Sequence, residues 1–117
     1  MFDWKELSEL AKELAAQTNE AAKRSALSRV YYAVFNSALD GLRKKNIQVN
    51  PDEKAHSRVW KVYEEGDKTD KRIGQFGRQL FRFRIYADYR NPYPTNLSQN
   101  VRQALKLADK TFEDLAQ

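Results

Sequence analysis

The 117-residue sequence predicts one all-α domain spanning residues 1–117, an up-and-down bundle of about five helices. Three observations predict this fold class. Apolar residues recur at helical spacing in five segments, no segment alternates polar and apolar residues as a strand does, and the linkers are short enough for neighbouring helices to pack antiparallel. The length and the 41% hydrophobic content are sufficient for one hydrophobic core.

The first two helices are predicted from apolar stripes along one face. The first helix covers about Asp3 to Gln17. Thr18 or Asn19 then supplies an N-cap for the second helix, because short polar side chains at this position accept a hydrogen bond from the first turn. The second helix covers about Glu20 to Lys45 and is predicted to be the central one.

The third helix has a strong predicted start. Asn50 is expected as its N-cap, Pro51 as its first helical residue and Glu53 as the partner that completes a capping box. The helix is expected to continue to about Glu65 and to stop at Gly66.

The last two helices are separated by a firm break. A polar linker, Gly66 to Asp70, is predicted to precede the fourth helix. This helix must end near Arg90, because Pro92 disfavours helical backbone at the residue before it. A fifth helix is predicted from about Leu97 to Ala116.

The composition excludes several classes of site. The chain has no cysteine and one histidine, His56, so zinc ligands and a thiolate nucleophile are missing. Glycine-rich phosphate loops are also missing, and we predict no metal and no cofactor. We find no apolar run of about 20 residues and no signal-peptide pattern, and we therefore expect a cytoplasmic protein without a membrane segment.

Positive charge is concentrated in the fourth predicted helix. The net charge is +5, and the segment from Lys71 to Arg90 contains one acidic residue against these basic ones: Lys71, Arg72, Arg78, Arg82, Arg84 and Arg90. Such a local field favours phosphate groups of nucleotides or nucleic acids. A surplus of this size is also common on proteins that bind neither, so charge alone leaves both interpretations open.

The end of this helix carries an unusual group, Arg84, Asp88 and Tyr89. Asp88 lies in the last turn, where the helix dipole disfavours a negative charge, so it needs a further partner. One interpretation is structural, with a tertiary ion pair or hydrogen bond for Asp88 and with Arg84 and Tyr89 packed in a groove. The other makes Arg84 a phosphate ligand, since its planar guanidinium can hold two phosphate oxygens at once.

Two stretches of the sequence resemble a known superfamily. Ser25 to Phe35 matches the pattern Ser-x-x-Ser-Arg-x-Tyr-Tyr-Ala-x-Phe, and Arg84 to Tyr89 follows on the fourth helix. Together they resemble the small single-domain prokaryotic branch of the HEPN superfamily (higher eukaryotes and prokaryotes nucleotide-binding). His56-Ser57 followed by Val59 resembles a further motif of that branch.

The resemblance implies a helical bundle with a four-helix core, usually a homodimer, often paired with a minimal nucleotidyltransferase in toxin-antitoxin or defence systems. Many relatives are metal-independent endoribonucleases, whose arginine is followed after four to six residues by a histidine. Here Arg84 and Tyr89 are the implied catalytic residues, and Tyr89 stands where that histidine is expected. Tyrosine is a poor general base at neutral pH, so the site predicts binding better than catalysis.

Three further residues join the predicted ligand-binding set of Arg84 and Asp88. His56 either lies against Arg84 or packs beside Trp60 and Tyr63 with an internal hydrogen bond. Arg29 either lines the site or neutralises Asp88 across the bundle. Arg82 is included for its charge.

These observations predict a HEPN-like protein that binds RNA or a nucleotide in a toxin-antitoxin or defence system, with atypical metal-independent endoribonuclease activity as an open part of the prediction. The alternative is a non-catalytic protein-interaction module that acts with a partner such as a minimal nucleotidyltransferase. A third possibility is that this partner modifies a tyrosine such as Tyr89.

Overall fold

Five α-helices make up the fold in the computed structural model, which describes residues 1–50 and 52–117. In chain order they are α1 (Lys5–Ala15), α2 (Glu20–Lys44), α3 (Ala55–Glu64), α4 (Lys68–Tyr89) and α5 (Leu97–Leu115). The described residues contain no strand. The predicted all-α bundle of five helices is therefore confirmed.

Three helices begin with a side chain that accepts a hydrogen bond, 2.8 to 3.0 Å long, from a backbone N–H of the first turn. These N-caps are Asn19 for α2, Asp67 for α4 and Asn96 for α5. The predicted starts of α2 and α5 are confirmed. Helix α4 begins at Lys68, inside the predicted linker Gly66 to Asp70, because the carboxylate of Asp67 caps it there.

The predicted start of α3 is wrong. The helix begins at Ala55, and Lys54 at its N-cap position gives no side-chain hydrogen bond. Asp52 forms a local turn instead, because its carboxylate accepts from the Lys54 N–H at 2.9 Å and from Arg58 Nη1 at 2.8 Å. Short acidic side chains compete with helical backbone in this way. The expectation for Pro51 lies outside the described residues.

The helix directions follow from the side-chain contacts between neighbours. Along α2, Tyr31 meets His56 while Ala38 meets Tyr63 further on, so α3 runs in the same direction as α2. Helix α4 runs opposite to both: Arg84 near its end contacts Tyr32 of α2. Strict up-and-down alternation is thus broken between α2 and α3, where residues 45–54 provide enough chain to return along the bundle.

Helix α2 is the central element. It contacts every other helix, whereas α3 packs mainly against α4. The predicted stripe on α2 forms the middle of the core, and each of its residues is at most 1% exposed: Leu27, Val30, Tyr31, Val34 and Ala38. The predicted central position of this helix is confirmed.

A large indole fills the space between α3 and α4. Trp60 is 1% exposed, and its Nε1 donates to the Tyr31 hydroxyl at 3.2 Å. Its ring lies directly over Gly77 of α4, where an added Cβ would overlap the ring atoms Cε3, Cζ3 and Cδ2. The missing side chain at Gly77 therefore sets how closely α3 approaches α4.

We expect Gly77→Ala to lower the free energy of unfolding by about 1–3 kcal/mol, the usual cost of overpacking a core. This loss must outweigh the gain in helix propensity of about 1 kcal/mol that Ala brings over Gly. Gln75→Ala, at an exposed position of the same helix, is the control and should leave stability nearly unchanged. Chemical denaturation measures both, and a Gly77→Ala protein at least as stable as the parent would contradict this packing.

Candidate functional site

A polar stripe on α2 faces the last turns of α4. Arg24, Ser28 and Tyr32 follow one another at intervals of four residues, which places them on one side of the helix. Each contacts α4: Arg24 reaches its final carbonyl groups, Ser28 reaches Asp88, and Tyr32 reaches Arg84. This α2–α4 polar seam brings the predicted site residues of α4 into one cluster.

Arg84 lies at the centre of the seam, and its guanidinium contacts two tyrosine rings. Its Cζ lies 5.0 Å from the centre of the Tyr32 ring and 5.6 Å from that of Tyr89. Its Nη2 donates to the Tyr32 hydroxyl at 2.6 Å. The side chain is 13% exposed. The contacts with the two rings restrict the orientation of the guanidinium. Its outer edge, at Nη1, is the part open to a ligand.

Asp88 is neutralised from within the site. One carboxylate oxygen lies 3.0 Å from Arg84 Nε and accepts a hydrogen bond from the Ser28 hydroxyl at 3.3 Å. The Arg84 Nε–H is buried and its angle to the carboxylate is too poor for a hydrogen bond, so this contact is an ion pair only. The suggested pairing of Asp88 with Arg29 is wrong, because Arg29 is exposed and forms no ion pair with the described residues.

Arg24 stabilises the end of α4. Its Nη1 donates to the carbonyl oxygens of Ala87 at 3.0 Å and Arg90 at 2.7 Å, and its Nε pairs with Glu20 at 2.8 Å. A cation beside the last carbonyl groups complements the helix dipole. It therefore offsets the unfavourable position of Asp88 in the last turn.

His56 lies in an aromatic layer beside this cluster. Its Nδ1 is 2.6 Å from the Tyr31 hydroxyl, and its ring centre is 4.2 Å from that of Phe35. In the arrangement that gives every one of these groups a partner, the Tyr31 hydroxyl accepts from Trp60 and donates to Nδ1, and the imidazole proton is assigned to Nε2. The predicted internal hydrogen bond is present, with Tyr31 as partner.

Burial and then the charge of Arg84 lower the pKa of His56 below its ordinary value. The imidazole is also in edge contact with the Tyr32 ring, with ring centres 6.1 Å apart. The predicted internal packing is present, with Tyr31, Phe35 and Phe81 as aromatic neighbours rather than Trp60 and Tyr63, and the ring reaches Arg84 only through Tyr32.

The structure separates the predicted site residues into two groups. Arg84 contacts Asp88 and Tyr89, and His56 lies beside the Tyr32 ring that also contacts Arg84. Arg82 is exposed and points away from Arg84, since two residues correspond to about 200° around a helix. Arg29 is likewise exposed and outside the cluster.

Sequence reasoning missed the α2 side of the site. Ser28 and Tyr32 were matched only as part of a family pattern and Arg24 was not considered, although all three contact α4. The signal was present as a polar residue at every fourth position beside the apolar stripe of α2. Such a second stripe indicates a polar contact with a neighbouring helix.

A cavity lies at the opposite end of the bundle. It has a volume of about 630 Å³, and its α4 lining begins at Asp67 and ends at Ile73. Arg84 lies about 20 Å further along the helix from Asp70, at 1.5 Å per residue. Acidic and basic side chains both line the cavity, among them Asp40 and Lys44. It has no polarity that selects a ligand, and the Arg84 cluster is the better candidate site.

We expect His56 to make stability depend on pH in a specific direction. Because its pKa is lowered in the folded state, the unfolded chain takes up the proton first as the pH falls below about 6.5. The free energy of unfolding should therefore decrease through this range. His56→Asn keeps an acceptor for Tyr31 but does not titrate, so its stability should decrease less between pH 7 and pH 5. Denaturation at a series of pH values compares the two, and parallel pH curves would contradict the lowered pKa.

No protein-family model, curated protein or solved structure matches the chain. The HEPN resemblance therefore stays a prediction. Among residues 1–50 and 52–117, no helix is long and apolar enough to cross a membrane, and no group of three or more His, Asp or Glu side chains could hold a metal ion.

Proposed function

We propose that this protein binds RNA or a nucleotide, with the outer edge of the Arg84 guanidinium as the phosphate ligand. The observation that supports this function best is the contact of the Arg84 guanidinium with the rings of both Tyr32 and Tyr89, which restricts its orientation. A guanidinium held in one orientation loses little freedom when it binds two phosphate oxygens. Its Nη1 has no hydrogen-bond partner among the described residues and is not fully enclosed.

The surrounding charge supports the same ligand class. Arg29, Arg82 and Arg90 are exposed, and none forms an ion pair within the described part of the chain. Their side chains do not contact the Arg84 guanidinium, but their positive charges raise the local concentration of an anionic ligand and increase its association rate. Such attraction weakens as salt increases.

We expect Arg84→Ala to weaken the binding of a short single-stranded RNA about ten- to a hundredfold at low salt, from the roughly 1.5–3 kcal/mol of a hydrogen bond to a charged group. Arg82→Ala removes the same charge from the opposite side of α4 and is the matched control, with a much smaller loss. Fluorescence anisotropy with a labelled oligonucleotide measures both affinities.

The second candidate function is a protein-interaction module, in which the Arg84 cluster is structural. The observation in its favour is that Arg84 is nearly enclosed and joins α2 to α4. If this candidate is correct, the Arg84→Ala variant melts at a lower temperature than the parent protein. The parent protein itself does not bind RNA. If the parent neither binds RNA nor binds nucleotides at low salt, the phosphate-ligand proposal is wrong.

Metal-independent RNA cleavage is the finer proposal that the HEPN resemblance adds. A cleavage reaction on a phosphate held by Arg84 requires a base, and among residues 1–50 and 52–117 Tyr89 has no side-chain hydrogen bond that could activate it. Burial and the charge of Arg84 lower the pKa of His56, which keeps the imidazole neutral at pH 7, and its Nδ1 can accept a proton once the hydrogen bond from Tyr31 opens.

We therefore expect any cleavage of RNA in the presence of EDTA to be lost in both Arg84→Ala and His56→Asn, while Tyr89→Phe retains it. Gel analysis of labelled RNA after incubation with each purified variant gives the answer. Cleavage that survives His56→Asn would exclude His56 as the base.

The biological setting is also proposed from the resemblance. We propose a cytoplasmic homodimer within a toxin-antitoxin or defence system, with a minimal nucleotidyltransferase as its partner. A nucleotidyltransferase gene beside this one, and co-purification of the two products, would support this setting.

A further inference from the structure

Tyr89 is an unusual residue on the surface of the cluster. It is 69% exposed, and it is among the few large hydrophobic side chains that the described chain leaves in solvent. One face of its ring lies against the Arg84 guanidinium, with Cζ 5.6 Å from the ring centre. Among the described residues, no other side chain is recorded in contact with the rest of the ring, which is open to solvent.

The nearby tyrosines do not share this property. Tyr93 contacts the Arg24 guanidinium at 5.6 Å and the Tyr86 ring at 6.1 Å, so both Tyr86 and Tyr93 have aromatic or cationic partners within the chain. The ring of Tyr32 packs beside Arg84 and Tyr31. Tyr89 is therefore the tyrosine of this cluster with an open aromatic face.

The Arg84 guanidinium contacts the rings of both Tyr32 and Tyr89, so these three side chains form one aromatic and cationic group. A flat group placed on the open face of Tyr89 would add one more stacked contact to it. A nucleobase is such a group, and base–aromatic stacking is a common source of affinity in proteins that bind single strands. The guanidinium edge lies beside this position, where the phosphate of the same or the adjacent nucleotide can reach it.

We propose that the open face of Tyr89 is a stacking site for an unpaired nucleobase whose neighbouring phosphate is bound by Arg84. The inference rests on the proposed function and narrows the ligand from RNA or a nucleotide to a strand with unpaired bases. Bases within a duplex are stacked on both faces and cannot place one on Tyr89, whereas the bases of single strands and loops can.

The experiment compares a single-stranded RNA that contains 2-aminopurine with the same strand annealed to its complement. Affinities are measured by anisotropy at low salt, and stacking is measured by the change in 2-aminopurine fluorescence. We expect the parent protein to prefer the single strand. Tyr89→Leu should lose roughly ten- to a hundredfold in affinity for the single strand, the range of one base–aromatic stack. Its affinity for the duplex should change little.

Tyr89→Phe is the matched control, because it keeps the aromatic face and removes only the hydroxyl. It should retain both the affinity and the fluorescence change. Tyr89 is exposed, so neither substitution should unfold the protein, and circular dichroism verifies this.

Two outcomes overturn the inference and leave the phosphate-ligand proposal intact: equal affinity of the parent for both forms, or an equal loss on both forms in Tyr89→Leu, which would mean that Tyr89 acts only by holding Arg84. Absence of binding to either form, even at low salt, would overturn the inference, and absence of nucleotide binding as well would overturn the phosphate-ligand proposal.

Discussion

The packing of α4 against α2 is the interaction on which the remaining structure depends. Its apolar part buries residues such as Tyr31 and Leu80, and its polar part aligns Arg24, Ser28 and Tyr32 with the last turns of α4. The two parts fix one register, because a shift of α4 by one turn would separate the carbonyl groups from Arg24 and the guanidinium of Arg84 from Tyr32. The candidate site is thus a product of helix packing and does not depend on a loop.

Arg84 links stability and binding in one side chain. An enclosed guanidinium loses much of its hydration, and its partners here are one hydroxyl, one poorly aligned carboxylate and two ring faces. This environment compensates the charge incompletely, since a buried charged group needs well-formed hydrogen bonds. An anion bound at the outer edge would supply the hydrogen bonds and the negative charge that the protein does not provide. The same group can therefore stabilise the seam and prefer a bound ligand.

The sequence was sufficient to predict the fold class, and the reason is visible at particular positions. The stripe from Leu27 to Ala38 and the cap at Asn19 are local patterns whose effect does not depend on distant residues. The start of α3 was not predictable in the same way. The carboxylate of Asp52 can stabilise either a local turn or the first turn of a helix, and the sequence does not decide between the two. For the site, the grouping of Arg84 with Asp88 and Tyr89 followed from their common helix end. The position of His56 and the contribution of Tyr32 depended on how α2, α3 and α4 pack, which periodicity does not specify.

The parallel course of α2 and α3 has a consequence for how the site moves. Helix α3 has ten residues, is attached mainly to α4, and follows a long connection from α2. A short helix that rests mainly on one neighbour can open in local fluctuations before the whole protein unfolds. Such an opening would withdraw His56 and Trp60 together and expose the Tyr31 hydroxyl, while the α2–α4 polar seam stayed in place. We therefore expect local opening to expose the imidazole more often than it exposes the guanidinium.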